Sequence, residues 1–80
     1  MTIKQVEFEG HEITELLARI EECQLLLAKN RGINWHDLSY FSDSESGFWR
    51  FDWEYRWDDT DTNLETLLTK AISWADKELE

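Results

Sequence analysis

The hydrophobic and polar positions of this 80-residue chain change their period several times from one end to the other. Residues 6–9 alternate between apolar and charged side chains, which predicts a short, half-buried strand that ends at Gly10. From Ile13 onward the apolar positions recur every three or four residues, so they fall on one face of a helix. This spacing predicts a first helix over residues 14–30, with Thr14 as its N-cap.

The predicted first helix carries three side chains whose surroundings matter for function. Cys23 lies on the apolar stripe, and we expect a buried structural thiol, because an acidic chain raises a thiol pKa and disfavours a nucleophile. Leu25 and Leu26 lie outside the stripe. We expect both to be buried beneath the loop that follows the helix, the alternative being contact with a partner.

The middle of the chain predicts two strands joined by a loop. Residues 33–42 have an irregular apolar pattern, which favours a strand with a bulge or a late start. Residues 42–47 have the composition of a hairpin loop. Residues 48–57 then alternate strictly, which predicts one long strand with an aromatic face and a charged face. The aromatic face consists of Trp49, Phe51, Trp53, Tyr55 and Trp57, and the charged face of Arg50, Asp52, Glu54 and Arg56.

The end of the chain predicts a second helix. Residues 58–61 are expected to form an acidic turn that leads into a helix over residues 63–78. Thr62 and Glu65 have the spacing of a capping box at the start of that helix. The predicted order is therefore β-α-β-β-α in a single domain over residues 1–80. We expect an α+β fold with a three-stranded, mainly antiparallel sheet and both helices packed on its aromatic face.

In that fold the aromatic row serves mainly as the core, because each aromatic side chain buries a large apolar area. Trp49 and Trp57 stand at the ends of the row, and we expect them to be partly exposed. The charged face of the long strand, including Asp52 and Glu54, is expected to lie in solvent.

The net charge of the chain limits the kinds of molecule that it is expected to bind directly. The chain has 18 acidic and 8 basic residues, a formal charge of −10. Residues 1–40 hold seven acidic and four basic groups, whereas residues 41–80 hold eleven acidic and four basic groups. Such a surplus opposes direct binding of nucleic-acid phosphates or of anionic membranes. No apolar run is long enough to span a membrane, and the single cysteine favours a reducing compartment, hence the cytoplasm.

No motif predicts a catalytic site, a cofactor or a metal. Residues 59–63 resemble the start of an EF-hand calcium loop, but the positions of its essential glycine and glutamate hold Leu64 and Lys70. His36 and Asp37 are adjacent, so on a strand they point to opposite faces and do not form a catalytic pair. We therefore expect a protein that is not an enzyme.

The distribution of charge is the strongest functional signal. We expect a monomeric or dimeric protein-interaction module that binds a basic protein surface. One form of this activity is nucleic-acid mimicry, in which carboxylates replace phosphates and inhibit a nucleic-acid-binding protein, as small acidic proteins of phages and mobile elements do. The alternative is a homo-oligomeric scaffold that uses an apolar patch of Leu25, Leu26 and Trp74, and a small enzyme is the least favoured. The expected partner-binding residues are Asp52, Glu54, Asp58, Asp59, Asp61 and Trp57.

Overall fold

The structure is a computed structural model that describes the backbone of residues 3–42 and 47–80 and the side chains of residues 13–42 and 47–80. The strands form one antiparallel sheet in the order β1-β2-β3. The predicted α+β class and the three-stranded antiparallel sheet are confirmed, but the element order is α-β-β-β-α and not β-α-β-β-α. The elements in chain order are α1 (Ile3–Arg31), β1 (Asp37–Phe41), β2 (Phe48–Trp53), β3 (Trp57–Asp61) and α2 (Leu64–Leu79).

The predicted first strand is wrong, because residues 6–9 belong to α1. The helix begins at Ile3, so Gly10 does not end an element and Thr14 is not an N-cap. A short alternating segment becomes a strand only when another strand pairs with it. Extending an existing helix needs no partner, since each added residue forms a local hydrogen bond.

The C-terminal end of α1 follows the sequence pattern. Lys29 and Arg31 lie in its last turn, where cations interact favourably with the helix carbonyls. Gly32 has a φ of 71° and reverses the chain, and the Ile33 N–H donates to the carbonyl of Leu27 at 3.2 Å. Because this reversal directs Ile33 into the core, the end of α1 is fixed by burial as well as by local chemistry.

The predicted strand over residues 48–57 is interrupted by a tight turn. Glu54 and Tyr55 have φ values of 44° and 62°, and the Arg56 N–H donates to the carbonyl of Trp53 at 2.7 Å. Positive φ at both central residues is typical of a type I′ turn, and Arg56 adds a third residue to the connection before Trp57 pairs with Trp53. The chain therefore reverses where the sequence predicted a continuous strand.

The third strand is formed by residues 57–61, so residues 58–61 are not the acidic turn that was predicted. It pairs antiparallel with β2, and Trp57 lies directly opposite Trp53. The predicted loop 42–47 lies mostly outside the described residues, but the strands on either side of it pair with Phe41 opposite Phe48.

Both helices contribute to a single core on one face of the sheet. α1 packs against α2, and α2 packs against β2 and β3. α2 covers the aromatic face of β2, where Phe51 and Trp53 are fully buried, whereas α1 packs on α2 and not directly on the strands as predicted. The other buried hydrophobic residues are Ile20, Cys23, Leu27, Ile33, Leu67, Leu68, Ala71, Ile72 and Ala75.

Cys23 is buried in this core, in agreement with the sequence, and burial raises the pKa of its thiol. Leu25 and Leu26 are exposed, so the expectation that the following loop buries them is wrong. The loop instead passes the side of α1 that carries Gln24, whose amide nitrogen donates to the Ile33 carbonyl at 2.8 Å. Among the described residues, no helix is long and apolar enough to cross a membrane.

Candidate protein-interaction surface

Asp52 was predicted to lie on an exposed face, but the structure buries it. Its side chain points to the face of the sheet opposite the helices, yet the residue is only 2% exposed. One carboxylate oxygen accepts a hydrogen bond from the Tyr55 N–H at 2.7 Å, and the other accepts one from the Arg50 guanidinium at 3.3 Å. The prediction of a solvated side chain is wrong because the turn after β2 folds back over this carboxylate.

Arg50 also holds the first aspartate of β3. A guanidinium N–H of Arg50 donates to Asp58 at 2.8 Å, and this hydrogen bond raises the pKa of Arg50. Asp58 is exposed and lies on the same face of the sheet as Arg50 and Asp52. One cation is thus shared between a buried carboxylate and an exposed one.

Asp59 and Asp61 lie on the other face of β3, towards α2. The Lys70 ammonium group is 3.4 Å from a carboxylate oxygen of each, which ties the edge of the sheet to the helix. The second oxygen of Asp61 accepts a hydrogen bond from the Asn63 N–H at 2.9 Å. Both aspartates therefore have structural partners as well as exposed surface.

The N-cap of α2 is Asn63, so the predicted Thr62 capping box is wrong. The Asn63 side-chain oxygen accepts from the Thr66 N–H at 2.9 Å. Because β3 continues through Asp61, Thr62 is left as the residue that links the strand to the cap.

The hydrogen bond between Asn63 and Asp61 predicts how the free energy of unfolding depends on pH. The hydrogen bond from the Asn63 N–H lowers the pKa of Asp61 below its ordinary value, and the interaction with Lys70 also lowers it. The stability that Asp61 contributes is therefore present above an unfolded-state pKa of about 3.9 and is lost as the pH falls through the lower folded-state pKa. We expect the difference in unfolding free energy between wild type and Asp61→Asn to be constant from about pH 5 to 8 and to shrink below about pH 4.

Urea titrations at a series of pH values measure this difference. In a Lys70→Met background the pH-dependent part should become smaller but should persist, because the Asn63 N–H still stabilises the carboxylate. A difference that does not change with pH would contradict the assignment.

Glu54 links the turn to the loop that follows α1. One of its carboxylate oxygens accepts from the Asn34 N–H at 2.6 Å. The side chain is only partly buried, so the carboxylate remains at the surface beside the start of β3. We call Glu54, Asp58, Asp59 and Asp61 together the acidic edge.

Trp57 is partly exposed, as predicted, and packs on the helix side of the sheet. Its ring stacks on Trp74 with centroids 6.4 Å apart and lies 6.3 Å from that of Phe51. Trp74 thus occupies the flank of α2 that faces β3, whereas Asp76 on the opposite flank pairs with Arg19 of α1 at 3.2 Å. Leu25 and Leu26 belong to α1 and are exposed, whereas Trp74 is only partly exposed and packs on Trp57.

The most exposed aromatic residue of the row is Tyr55, although the alternating pattern predicts it on the covered face. Tyr55 is 82% exposed, and its ring meets that of Trp35 edge to face, with centroids 5.1 Å apart and planes at 87°. Trp35 is itself 38% exposed. We call these two rings the aromatic corner. No glycine or asparagine marks the turn, so sequence carried no signal for it.

Two other kinds of site can be assessed among the described residues, namely a metal site and a ligand pocket. Within the side chains that the structure describes, no three His, Cys, Asp or Glu are placed to hold a metal ion. An open cleft of about 420 Å³ beside the first turns of α2 has a polar lining of Asn63, Glu65, Thr66, Thr69 and Lys70. This lining lacks the apolar walls that ligand pockets generally have.

Comparisons of the chain with protein family models, with curated proteins and with solved structures found no match. The surface itself is therefore the basis for assigning a function. Of the six residues predicted from sequence, four form the acidic edge, while Asp52 is buried beneath the turn and Trp57 packs against α2. With Asp52 and the cations Arg50, Arg56 and Lys70 included, this region retains a surplus of negative charge.

Proposed function

We propose that this protein is a small, non-enzymatic interaction module that binds a basic surface of another protein through the acidic edge. The observation that supports the proposal is the composition of β3, an edge strand in which three of five residues are aspartate. Charged side chains keep an edge strand from pairing with other strands. The same side chains give a partner ordered carboxylates on both faces of this edge.

Two cations hold these aspartates in place before any partner binds. Arg50 fixes Asp58, and Lys70 fixes Asp59 and Asp61. Groups that are already ordered lose less conformational entropy on binding than free side chains do. Complementary charge then speeds the encounter and sets the orientation of the two proteins.

The partner that best fits this chemistry is a nucleic-acid-binding protein in the cytoplasm. Its basic surface is adapted to phosphates, and carboxylates at fixed positions compete for the same lysine and arginine side chains. In this form of the proposal the chain acts as an inhibitor by nucleic-acid mimicry. Added duplex DNA should then displace it from such a partner, whereas another kind of basic partner would retain it.

A defined cationic probe tests the location of the binding surface. We expect the triple variant Glu54→Gln, Asp58→Asn, Asp59→Asn to bind a fluorescein-labelled deca-lysine peptide about tenfold more weakly, because each exposed ion pair contributes up to about 1 kcal/mol. Fluorescence anisotropy at about 50 and 200 mM NaCl measures the affinity and its salt dependence.

The matched control removes the same charge from α1 and from the C-terminal end of α2. The variant Glu15→Gln, Glu78→Gln, Glu80→Gln alters three exposed carboxylates outside the acidic edge, and its affinity should fall about twofold or less. Equal weakening in the two triple variants would show that net charge alone attracts the peptide, and the proposed surface would then be wrong.

A further inference from the structure

We propose that the aromatic corner of Trp35 and Tyr55 is a binding site for an arginine side chain of the basic partner. This inference rests on the proposed function, because it names the side chain that the partner inserts next to the acidic edge. It also gives a role to the two exposed rings that the acidic edge alone leaves unexplained.

The geometry of the corner suits a planar cation. The two rings lie at 87° with centroids 5.1 Å apart, so their faces meet at a right angle. A cation in that angle lies within about 6 Å of both rings, the range over which a cation is attracted to an aromatic face. Tyr55 at 82% and Trp35 at 38% exposure leave these faces open to an incoming side chain.

Carboxylates adjoin the corner on both sides. Glu54 directly precedes Tyr55, and only one of its oxygens is hydrogen-bonded among the described residues, to the Asn34 N–H. Asp37 is exposed two residues after Trp35 and lies opposite Asp52 in the sheet. Since Asp52 accepts from the Tyr55 N–H, its cross-strand neighbour Asp37 lies at the end of the sheet where the turn carries Tyr55.

The turn holds Tyr55 out of the core at a fixed place. Glu54 and Tyr55 both have positive φ, a conformation uncommon for residues other than glycine, asparagine and aspartate. The buried carboxylate of Asp52 and the hydrogen bond from Arg56 to Trp53 maintain it. A large aromatic side chain is thus presented to solvent on a rigid support, as the anchor residues of protein interfaces are.

Arginine fits the corner better than lysine does. A guanidinium group is planar, stacks on an aromatic face and still donates hydrogen bonds to a carboxylate at its edge. An ammonium group is compact and more strongly hydrated, so it gains less from the rings. The like charge of the exposed neighbour Arg56 opposes either cation, and Arg56→Gln should therefore tighten binding.

The test compares labelled deca-arginine and deca-lysine peptides by fluorescence anisotropy. We expect Tyr55→Leu to weaken binding of deca-arginine about three- to tenfold and that of deca-lysine less. Tyr55→Phe keeps the ring and should retain wild-type affinity. Tyr40→Leu is the matched control, because Tyr40 is also exposed but lies opposite Trp49 at the other end of the sheet.

Trp35→Leu provides a second variant, and circular dichroism verifies that each variant is folded. If Tyr55→Leu and Trp35→Leu bind as Tyr40→Leu does while the acidic-edge variant still weakens, the corner is wrong and the proposed function stands. If the acidic-edge variant matches its charge control, the proposed function is wrong. An equal loss of affinity for the two peptides would overturn the assignment of arginine.

Discussion

Replacing Trp53 with alanine is expected to destabilise the protein by about 3–5 kcal/mol, the range for truncating a large core aromatic residue. Trp53 is fully buried between the sheet and the helices, and its indole N–H donates to the Ala71 carbonyl at 3.0 Å. A domain of this length has a total stability of about 4–12 kcal/mol. The substitution therefore removes a large part of the stability of the fold.

Urea unfolding followed by far-UV circular dichroism measures this loss. Trp53→Phe should fall between wild type and Trp53→Ala, since it keeps most of the packing and loses the indole hydrogen bond. Tyr55→Ala is the exposed aromatic control and should cost no more than about 1 kcal/mol. Equal destabilisation by Trp53→Ala and Tyr55→Ala would contradict the placement of the core.

Asp52→Ala is expected to destabilise the protein by about 2–3 kcal/mol, because it removes the acceptor of the Tyr55 N–H and leaves that donor unsatisfied. It also removes a carboxylate partner of Arg50. The turn then loses the contact that compensates for positive φ at Glu54 and Tyr55. For a domain of this size the midpoint of thermal unfolding should fall by about 10–20 °C.

Two further variants separate the causes of this effect. Asp52→Asn keeps an oxygen that accepts from the Tyr55 N–H and loses only the charge beside Arg50, so it should be milder than Asp52→Ala. Asp37→Ala alters the exposed residue opposite Asp52 and should change stability by about 0.5 kcal/mol or less. Were Asp37→Ala as harmful as Asp52→Ala, burial of Asp52 would not be the cause.

The aspartates of β2 and β3 have two kinds of role. Asp52 supports the turn, and Asp61 positions the cap of α2 through the Asn63 N–H. Asp58 and Asp59 have ion-pair partners but leave carboxylate surface exposed. Asp52 and Asp61 are therefore poor choices for a binding test, whereas substitutions of Asp58 and Asp59 test the proposed surface.

The two helices could be read largely from the sequence. Ile20, Cys23 and Leu27 of α1 recur at helical spacing and are buried, and the same holds for Leu67 and Ala71 of α2. Helix hydrogen bonds are local, so the period of the apolar residues predicts both the helix and the face of the helix that is buried.

The ends of the strands and their pairing could not be predicted in the same way. A turn of three residues keeps Trp53 and Trp57 on the same face, so strict alternation over residues 48–57 suits either one long strand or a hairpin. The choice is made by the contact of Asp52 with the Tyr55 N–H and by pairing of β3 with β2. The helical state of residues 6–9 was hidden for a similar reason, since an alternating segment is a strand only if a partner is present.

The sequence by itself thus determined the α+β class, the buried faces of the helices, the aromatic core and the concentration of charge in the second half of the chain. Only the tertiary structure decided which side chains reach the surface. It buries Asp52, ties Asp61 to the start of α2 and turns Tyr55 outward. The physical reason is that helix periodicity and net charge are properties of local sequence. Strand pairing and the exposure of a side chain depend on segments that meet only in the folded chain.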